Sequence, residues 1–284
     1  TMTTTGATLQ GFDIEKTDKT GEQNIIYVNA NDITIANNIV HGQFVIGDGE
    51  VSRALITSGG NSGLLVTGNQ FYGLRQPGYI SGVITGTISN NYTHGTKGWV
   101  VEQGNLTFTN NTWGTVALGN ANVYDIAILS VVNAAYYTDV PAMSTANNDA
   151  FIEDQRYSTP LLTPVYVDAS VSTCTDCGTA RMPYGTIQEG VDRVIPGGTV
   201  NVLAGNYASI TANKAVTLLG PNAGIHPAVG KHPTEVVGTR GPEAVVGGEL
   251  KPSADNVTVD GFKFLKAGTR QIDTYADANN FTMR

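Results

Sequence analysis

Acidic and basic side chains in the first quarter of the chain could support cation-assisted chemistry. Asp13, Glu15 and Asp18 lie close together, and carboxylate oxygens are ligands that Ca²⁺ prefers. Arg53 and Arg75 follow, and a positioned basic group beside a bound cation can take a proton from a substrate. The carboxylates do not recur at a regular spacing on one face. We therefore expect solvated loop residues and no required cofactor, with Asp13, Glu15 and Asp18 as weak Ca²⁺ candidates.

A second set of side chains could bind sugars. Aromatic rings in a strip can stack on sugar rings, and a neighbouring arginine can bind acidic groups. The candidate ligand residues of this kind are Tyr72, Arg75, Tyr79, Trp99 and Trp113. Aromatic side chains at such positions more often fill a core or pack against turns, so both interpretations stay open. A glycosidase needs two facing carboxylates, and the sequence singles out no such pair; we predict no catalytic residue.

The two cysteines are close in sequence. Cys174 and Cys177 stand in a Cys-Thr-Asp-Cys-Gly segment with no histidine nearby, and two ligands do not make a structural zinc site. A redox Cys-x-x-Cys motif normally opens a helix, whereas this one lies in a loop rich in Ser, Thr and Gly. The sequence favours a local disulfide, with free thiols as the alternative.

The composition restricts the possible fold classes and the possible classes of binding partner. The 284 residues carry a formal charge of −8, and only 14% of them are charged. This acidic balance argues against a nucleic-acid-binding surface, and no apolar run is long enough for membrane insertion as a helix. Val, Ile and Leu recur in short bursts between Asn and Gly, which is typical of an all-β protein with tight turns.

Four short apolar runs end on one pattern, with an apolar residue three positions before an asparagine. The asparagines are 31, 22 and 20 residues apart, at Asn38, Asn69, Asn91 and Asn111. Repeats of this length with a fixed turn predict a β-solenoid. Asn tolerates the left-handed turn conformation, and stacked amides can form a hydrogen-bonded ladder along the solenoid. We expect one interior column of the preceding apolar residues, Ile35, Val66, Ile88 and Phe108.

Two segments predict short helices. Residues 139–148 read as a helix with Asp139 as N-cap and Pro141 in its first turn, and this helix could plug the end of a solenoid. Residues 186–195 read as an amphipathic helix that ends before Pro196, and this helix lies at the start of a second unit.

One stretch carries a family resemblance. Its motifs are Val165-Tyr-Val-Asp168, Tyr184-Gly-Thr-Ile-Gln-Glu-Gly-Val-Asp192, Pro196-Gly-Gly-Thr-Val-Asn-Val202, Ala204-Gly-Asn-Tyr207 and Asn256-Val-Thr-Val-Asp-Gly-Phe262. This stretch resembles the N-terminal portion of secreted right-handed parallel β-helix proteins of the pectin-lyase-like group, among them repeat proteins of the cell-surface and adhesin type. The resemblance implies an all-β, right-handed parallel β-helix at an extracellular or cell-surface location. It leaves function open, because the fold hosts lyases, hydrolases, adhesins and surface-layer proteins.

The resemblance also implies a permuted order with short capping helices. Residues 1–157 correspond to middle rungs and a C-terminal cap of one β-helix. Residues 158–183 read as a linker with one strand and the Cys-x-x-Cys loop. Residues 184–284 correspond to the N-terminal cap helix and first rungs of a second β-helix.

The two ends of the chain resemble each other. Ala7–Ile14 matches Val257–Phe264 at an offset of 250, and Tyr27–Ile35 matches Tyr275–Met283 at an offset of 248. The residues that we expect at an assembly surface are Gly11, Phe12, Ile14, Gly261, Phe262, Phe264, Phe281 and Met283.

The leading hypothesis is an extracellular structural protein without enzymatic activity. Copies of the chain would stack head to tail through open rungs and form a fibre, since such a contact does not close on itself. The alternative is a carbohydrate-active enzyme of the polysaccharide lyase kind or a sugar-binding adhesin. A third hypothesis is a segment of a longer tandem array.

Overall fold

A computed structural model describes residues 1–19, 22–129, 136–172, 174, 177–225, 239–265, 271–273 and 278–284. The chain divides into two compact units, Thr1–Leu161 and Leu162–Arg284, and the boundary lies within the predicted linker. Most of the described secondary structure is parallel β-strand, so the all-β class is confirmed. In the described part of the chain, no helix is both long and apolar enough to cross a membrane.

Short strands make up most of the first unit. They are β1 (Thr8–Gln10), β2 (Asp13–Glu15), β3 (Glu22–Val28), β4 (Thr34–Ala36), β5 (Ile39–His41), β6 (Val51–Thr57), β7 (Leu64–Thr67), β8 (Gln70–Tyr72), β9 (Gln76–Ile80), β10 (Thr85–Ser89), β11 (Tyr92–His94), β12 (Trp99–Val101), β13 (Asn105–Thr109), β14 (Thr112–Trp113), β15 (Ile126–Ile128) and β16 (Ile152–Asp154). A 3-10 turn covers Val116–Leu118, and helix α1 covers Val140–Ala146.

These strands form three parallel sheets, and from β1 to β12 each strand pairs with the third strand after it. We call them the first sheet (β1-β4-β7-β10-β13), the second sheet (β2-β5-β8-β11-β14) and the third sheet (β3-β6-β9-β12-β15-β16). The chain therefore passes through the three sheets in turn and returns to the first. We call one such pass a layer.

The core of the first unit is a set of columns that run across the layers. Register aligns Leu9, Ile35, Val66, Ile88 and Phe108 in the first sheet. All of them but Leu9 are buried. Strands this short cannot bury their apolar faces alone, so stacking of layers supplies the core.

Trp99 fills the middle of this core. Its ring packs edge-to-face against Phe71 at 5.5 Å and Phe108 at 6.0 Å between centroids. The ring lies against the backbone of Gly78, where an added Cβ atom would be 2.2 Å from the indole. Close packing against the indole ring therefore leaves room only for glycine at position 78.

Helix α1 begins where the sequence predicts. The Oδ1 atom of Asp139 accepts a hydrogen bond from the backbone N–H of Ala142 at 2.9 Å, and Pro141 lies in the first turn. Val140 and Ser144 are buried, and the helix packs against β13. α1 thus covers the last strand of the first sheet.

The second unit contains three smaller parallel sheets. β17 (Leu161–Thr163) lies at the boundary of the units, and the strands that follow are β18 (Val165–Val167), β19 (Thr199–Val202), β20 (Gly205–Tyr207), β21 (Ile210–Ala212), β22 (Val216–Leu219), β23 (Ala244–Val246), β24 (Leu250–Pro252), β25 (Val257–Asp260), β26 (Phe262–Phe264) and β27 (Thr282–Met283). The sheets are β18-β19-β22-β25-β27, β20-β23-β26 and β21-β24.

Helix α2 (Ile187–Arg193) covers the start of the second unit. A capping box fixes its first turn, because Thr186 and Glu189 exchange backbone-to-side-chain hydrogen bonds at 3.1 and 3.2 Å. Its buried face, with Ile187 and Val191, packs against β18 and β19. Cys174 and Cys177 are joined by a disulfide.

Candidate functional site

The residues that we expect at an assembly surface lie on strands at the edges of the sheets or directly beside these strands. Phe12 is 56% exposed and Met283 is 42% exposed, and Ile14 on β2 is half-buried. Val40, which follows Ile14 in the same column, is fully buried. Among the described residues, β1 pairs with β4 alone and β27 pairs with β25 alone. Both strands therefore present one unpaired backbone edge.

The backbone pairing is the same at the two ends. In the first unit, Thr8 lies opposite Thr34, and Leu9 lies opposite Ile35. In the second unit, the residues at the offsets found in the sequence make the same pairs, Thr258 with Thr282 and Val259 with Met283. The sequence match is therefore also a match of strand register. Residues 275–277, which belong to the matching segment near the end of the chain, lie outside the described residues.

The turns before these strands match as well. The N–H of Gly6 donates to Asn31 O at 3.1 Å, and the N–H of Asn256 donates to Asn279 O at 2.9 Å. Gly6 and Asn256 have left-handed φ values of 77° and 59°. The N–H groups of Gly11 and Gly261 make a further matching pair of bonds, to Ala36 O and Arg284 O, both at 3.4 Å.

Inside the first unit, the layer that contains β7 stacks on the layer that contains β4. β7 stacks on β4, with the N–H of Leu65 donating to Ile33 O and the N–H of Asp32 donating to Ser62 O, both at 2.8 Å. The segment 62–68 that makes this contact reads Ser-Gly-Leu-Leu-Val-Thr-Gly, and the segment 5–11 reads Thr-Gly-Ala-Thr-Leu-Gln-Gly. The glycines of both segments have φ values between 66° and 77°.

In the interior segment, the close approach of Asp32 requires glycine at position 63. A Cβ atom on Gly63 would lie 2.2 Å from Asp32 Oδ1, because the preceding layer presses against it. Gly6 has the same backbone conformation, but no described atom lies within 4 Å of its Cβ position. Among the described residues, none fills the space that a preceding layer would occupy at Gly6.

The four predicted asparagines are linked across the layers. Asn38 donates its backbone N–H and its Nδ2 to Asn69 Oδ1 at 2.9 and 3.0 Å. Asn69 and Asn91 make the same two bonds to the next asparagine in turn. Sequence reasoning missed a fifth member, Asn147, although Asn147-Asn148 repeats the Asn-Asn pairs that end at Asn91 and Asn111.

An outer-face cluster lies on the solvent side of the third sheet. The guanidinium carbon of Arg53 lies 4.6 Å from the centroid of the Tyr79 ring, and Arg53 Nε donates to Gln76 Oε1 at 2.9 Å. Arg75 Nε is buried and has no hydrogen-bond partner among the described residues. The cluster as we define it consists of Arg53, Arg75, Gln76, Tyr79, Glu102, Tyr124 and Glu153.

The tyrosines of this cluster are held in their neutral form. Burial raises the pKa of Tyr124 to about 12, and the negative charge of Glu153 adds to the effect. Burial and a hydrogen bond with Glu102 raise the pKa of Tyr79. At neutral pH both phenols are therefore hydrogen-bond donors, and neither is a base. Its two arginines supply positive charge, and the carboxylates of Glu102 and Glu153 offset this charge.

The structure does not bring the five candidate ligand residues together. Arg75 and Tyr79 belong to the outer-face cluster. Trp99 is fully buried in the core, so it cannot bind a ligand at the surface. Trp113 donates its Nε1–H to Asn147 O at 2.6 Å and packs at the end of the second sheet.

Tyr72 lies in a ladder of aromatic rings on the second sheet. Its ring is stacked between His41 at 4.8 Å and His94 at 4.9 Å, and burial lowers the pKa of His94. Both faces of the Tyr72 ring are therefore covered by neighbours. A sugar ring could not stack on it without displacing an imidazole.

The acidic residues near the start are paired with basic side chains. Asp13 Oδ1 lies 3.0 Å from His41 Nε2, and Asp18 Oδ1 lies 2.7 Å from Lys16 Nζ. Glu15 is exposed on β2. In the part of the chain that the structure describes, no three His, Cys, Asp or Glu side chains are grouped so that they could hold a metal ion. The three Ca²⁺ candidates therefore do not form one site.

No known family model matches this chain, and no curated protein or solved structure matches it significantly.

Proposed function

We propose that this chain is an extracellular structural protein whose copies stack head to tail into a fibre. In this proposal both units are parts of right-handed parallel β-helices, and their order is permuted as the sequence predicts. The return of the chain to the same three sheets in successive layers supports the β-helix. Secretion and the cell-surface location rest on the family resemblance alone.

The contact between copies would repeat a contact found inside the first unit. β27 is equivalent to β4, and segment 5–11 is equivalent to segment 62–68. β1 of one copy would therefore stack on β27 of the preceding copy as β7 stacks on β4, with Thr8 opposite Thr282. In the adjacent sheets one strand position would stay open between β26 and β2, and the rings of Phe12 and Phe262 would border it.

Several free-energy terms favour this contact. The exposed side chains of Phe12 and Met283 would lose contact with water, which contributes about 25 cal/mol per Å² of buried apolar surface. The unpaired backbone groups of β1 and β27 would complete a parallel ladder. The two surfaces differ from each other, so each added copy exposes a new end and the assembly grows as a filament.

Thr8 offers a sharp test of the contact. The N–H of Thr34 donates to Ala7 O, so in a parallel pair the N–H of Thr8 points away from β4. By equivalence with Leu65, this N–H would donate to Phe281 O of the preceding copy. Thr8→Pro removes the N–H without removing a bond to β4, and Thr8→Ala keeps it.

The experiment is sedimentation velocity with negative-stain electron microscopy on the full chain. We expect filaments for the unaltered chain and for Thr8→Ala, and monomers for Thr8→Pro with an unchanged circular dichroism spectrum. Monomers of the unaltered chain at all concentrations and salt conditions would reject the proposal. Filaments of Thr8→Pro equal to those of Thr8→Ala would place the contact elsewhere.

The second candidate function is binding or cleavage of an acidic polysaccharide at the outer-face cluster. The buried Nε of Arg75 favours it, because a buried donor without a partner is costly and a bound carboxylate would satisfy it. We expect Arg75→Gln to weaken binding of polygalacturonate, and Arg181→Gln, at an exposed position, to leave it unchanged. Unsaturated products in the presence of Ca²⁺ would indicate a lyase.

A further inference from the structure

The outer face of the first sheet is a regular array of small side chains. Because Leu9, Ile35, Val66, Ile88 and Phe108 point inward, the residues on either side of them point outward. One outward column is Thr8, Thr34, Leu65, Thr87 and Thr107, and the other is Gln10, Ala36, Thr67, Ser89 and Thr109. Seven of these ten side chains carry a hydroxyl group, and none carries a charge.

The array has the repeat of a small two-dimensional lattice. Neighbouring strands of a sheet lie about 4.8 Å apart, and side chains two residues apart on one strand are separated by about 6.7 Å. The five strands are in register, so these two spacings recur from layer to layer. Threonine has restricted χ1 rotation, and the strands are held by hydrogen bonds within the sheet, so the positions of the hydroxyl groups are well defined.

Five of the seven hydroxyl groups, those of Thr8, Thr34, Thr87, Thr107 and Thr109, are available for contacts outside the protein. Thr34, Thr87, Thr107 and Thr109 make no side-chain hydrogen bond to any residue that the structure describes. Only Thr67 and Ser89 are linked within the array, with Ser89 Oγ donating to Thr67 Oγ1 at 3.2 Å. Thr107 is exposed, and Thr34, Thr87 and Thr109 are half-buried. Two members of the second column, Ala36 and Ser89, are buried, so the accessible part of the array is mainly the threonine column.

The composition of the face argues against other classes of ligand. A nucleic acid or an acidic glycan would require basic side chains, and a neutral glycan surface is usually bound by aromatic rings. Neither kind of side chain occurs at the ten positions. An arginine and an aromatic ring do lie together on the third sheet, at Arg53 and Tyr79.

We propose that this face binds ice. Ice presents water oxygens in regular rows whose repeat is close to the spacing between stacked strands. The threonine methyl groups order the first layer of water, and the hydroxyl groups anchor this water by hydrogen bonds. A charged side chain would orient water around itself and break the lattice, so an uncharged face is what this function requires.

The test measures thermal hysteresis and partition into growing polycrystalline ice. We expect both for the unaltered full chain. We expect Thr87→Lys and Thr107→Lys to reduce hysteresis to the buffer value, because each places a charge and a long side chain in the array. Thr112→Lys is the matched control: it puts the same side chain at an exposed position of the second sheet, and we expect activity to be kept.

Circular dichroism and thermal unfolding would show that all three lysine variants keep the fold, and Thr107→Lys carries the test if Thr87→Lys does not fold. Absence of hysteresis and of ice partition in the unaltered chain would overturn the proposal. An equal effect of all three substitutions would overturn it too. Retention on crystalline chitin or cellulose without entry into ice would show that the face binds a polysaccharide surface, and it would overturn the ice proposal. The proposal does not depend on fibre formation, since all ten positions lie in one copy.

Discussion

Asn147 at the carboxyl end of α1 accepts two hydrogen bonds at its Oδ1 from Asn111, one from the backbone N–H at 3.4 Å and one from Nδ2 at 2.8 Å. Its own Nδ2 donates to Phe108 O and to Met143 O, both at 2.9 Å. A helix residue thus takes the place that an asparagine of the next layer would have. The ladder is completed by the helix that covers the sheet, and no amide of Asn111 is left unpaired in the core.

Removing a ladder residue should be costly. Asn91→Ala deletes the bonds that Asn91 makes to Val66 O, Asn69 and Asn111, and it leaves buried polar groups without partners. We expect a loss of about 2–4 kcal/mol in the free energy of unfolding, since each unsatisfied buried group costs about 1–3 kcal/mol. Urea unfolding measures it. Asn24→Ala, at an exposed position of β3, should change stability little, and a similar loss in both variants would contradict the ladder's role.

The packing of Trp99 on Gly78 predicts a second effect. Gly78→Ala places a methyl group 2.2 Å from the indole ring, so the ring or the strand must move. Overpacking of this kind costs about 1–3 kcal/mol, and we expect a lower Tm with a changed near-ultraviolet circular dichroism spectrum. Gly49→Ala is the control, because nothing lies within 4 Å of its Cβ position and its φ is not left-handed. Equal Tm values for the two variants would argue against the packing.

The disulfide can be tested by thiol labelling. Cys174 and Cys177 are three residues apart, so their bond closes a very small loop and should contribute little to global stability. We expect no labelling of the unfolded protein until a reductant is added, and only a small change in Tm after reduction. Labelling of both cysteines before reduction would show the free thiols that the sequence leaves open.

The sequence is most informative where one residue type has a geometric role. The spacing of Asn38, Asn69 and Asn91 identifies the turns, because each amide bonds to the next layer. The left-handed position of each turn is not the ladder asparagine itself but the residue before it, at Asn37, Gly68 and Asn90. N-capping likewise locates the start of α1 at Asp139 and of α2 at Thr186. These signals are local, so they do not depend on which other strands are neighbours.

The sequence does not reveal in the same way whether a side chain points inward or outward, or which residues distant in sequence lie beside it. β12 is buried at all three positions, so the alternation that separates inside from outside cannot be seen there. Of the two interpretations that the sequence leaves open for Trp99, its burial fits core packing and not a ligand surface. The outer-face cluster joins Arg75 to Glu153 through layers that are far apart in sequence. Only the stacking order of β9, β12, β15 and β16 brings such residues to one face.

A buried carboxyl group should make stability depend on pH. Burial raises the pKa of Asp125 to about 7, although its oxygens accept hydrogen bonds from Asn122 Nδ2 and from the N–H of Phe151, both at 2.8 Å. The folded-state pKa lies above the unfolded value near 3.8, so folding favours the protonated form. This contribution is complete below pH of about 4 and is lost as the pH rises through about 7.

The measurement compares the unaltered chain with Asp125→Asn, which cannot titrate at this position. We expect the difference in unfolding free energy between the two proteins to change in favour of Asp125→Asn as the pH is raised from acid to neutral, and to level off above the folded pKa. Other titrating groups are common to both proteins and cancel in the difference. A constant difference across this range would mean that Asp125 has the same pKa in the folded and unfolded states, and that its two hydrogen bonds offset its burial.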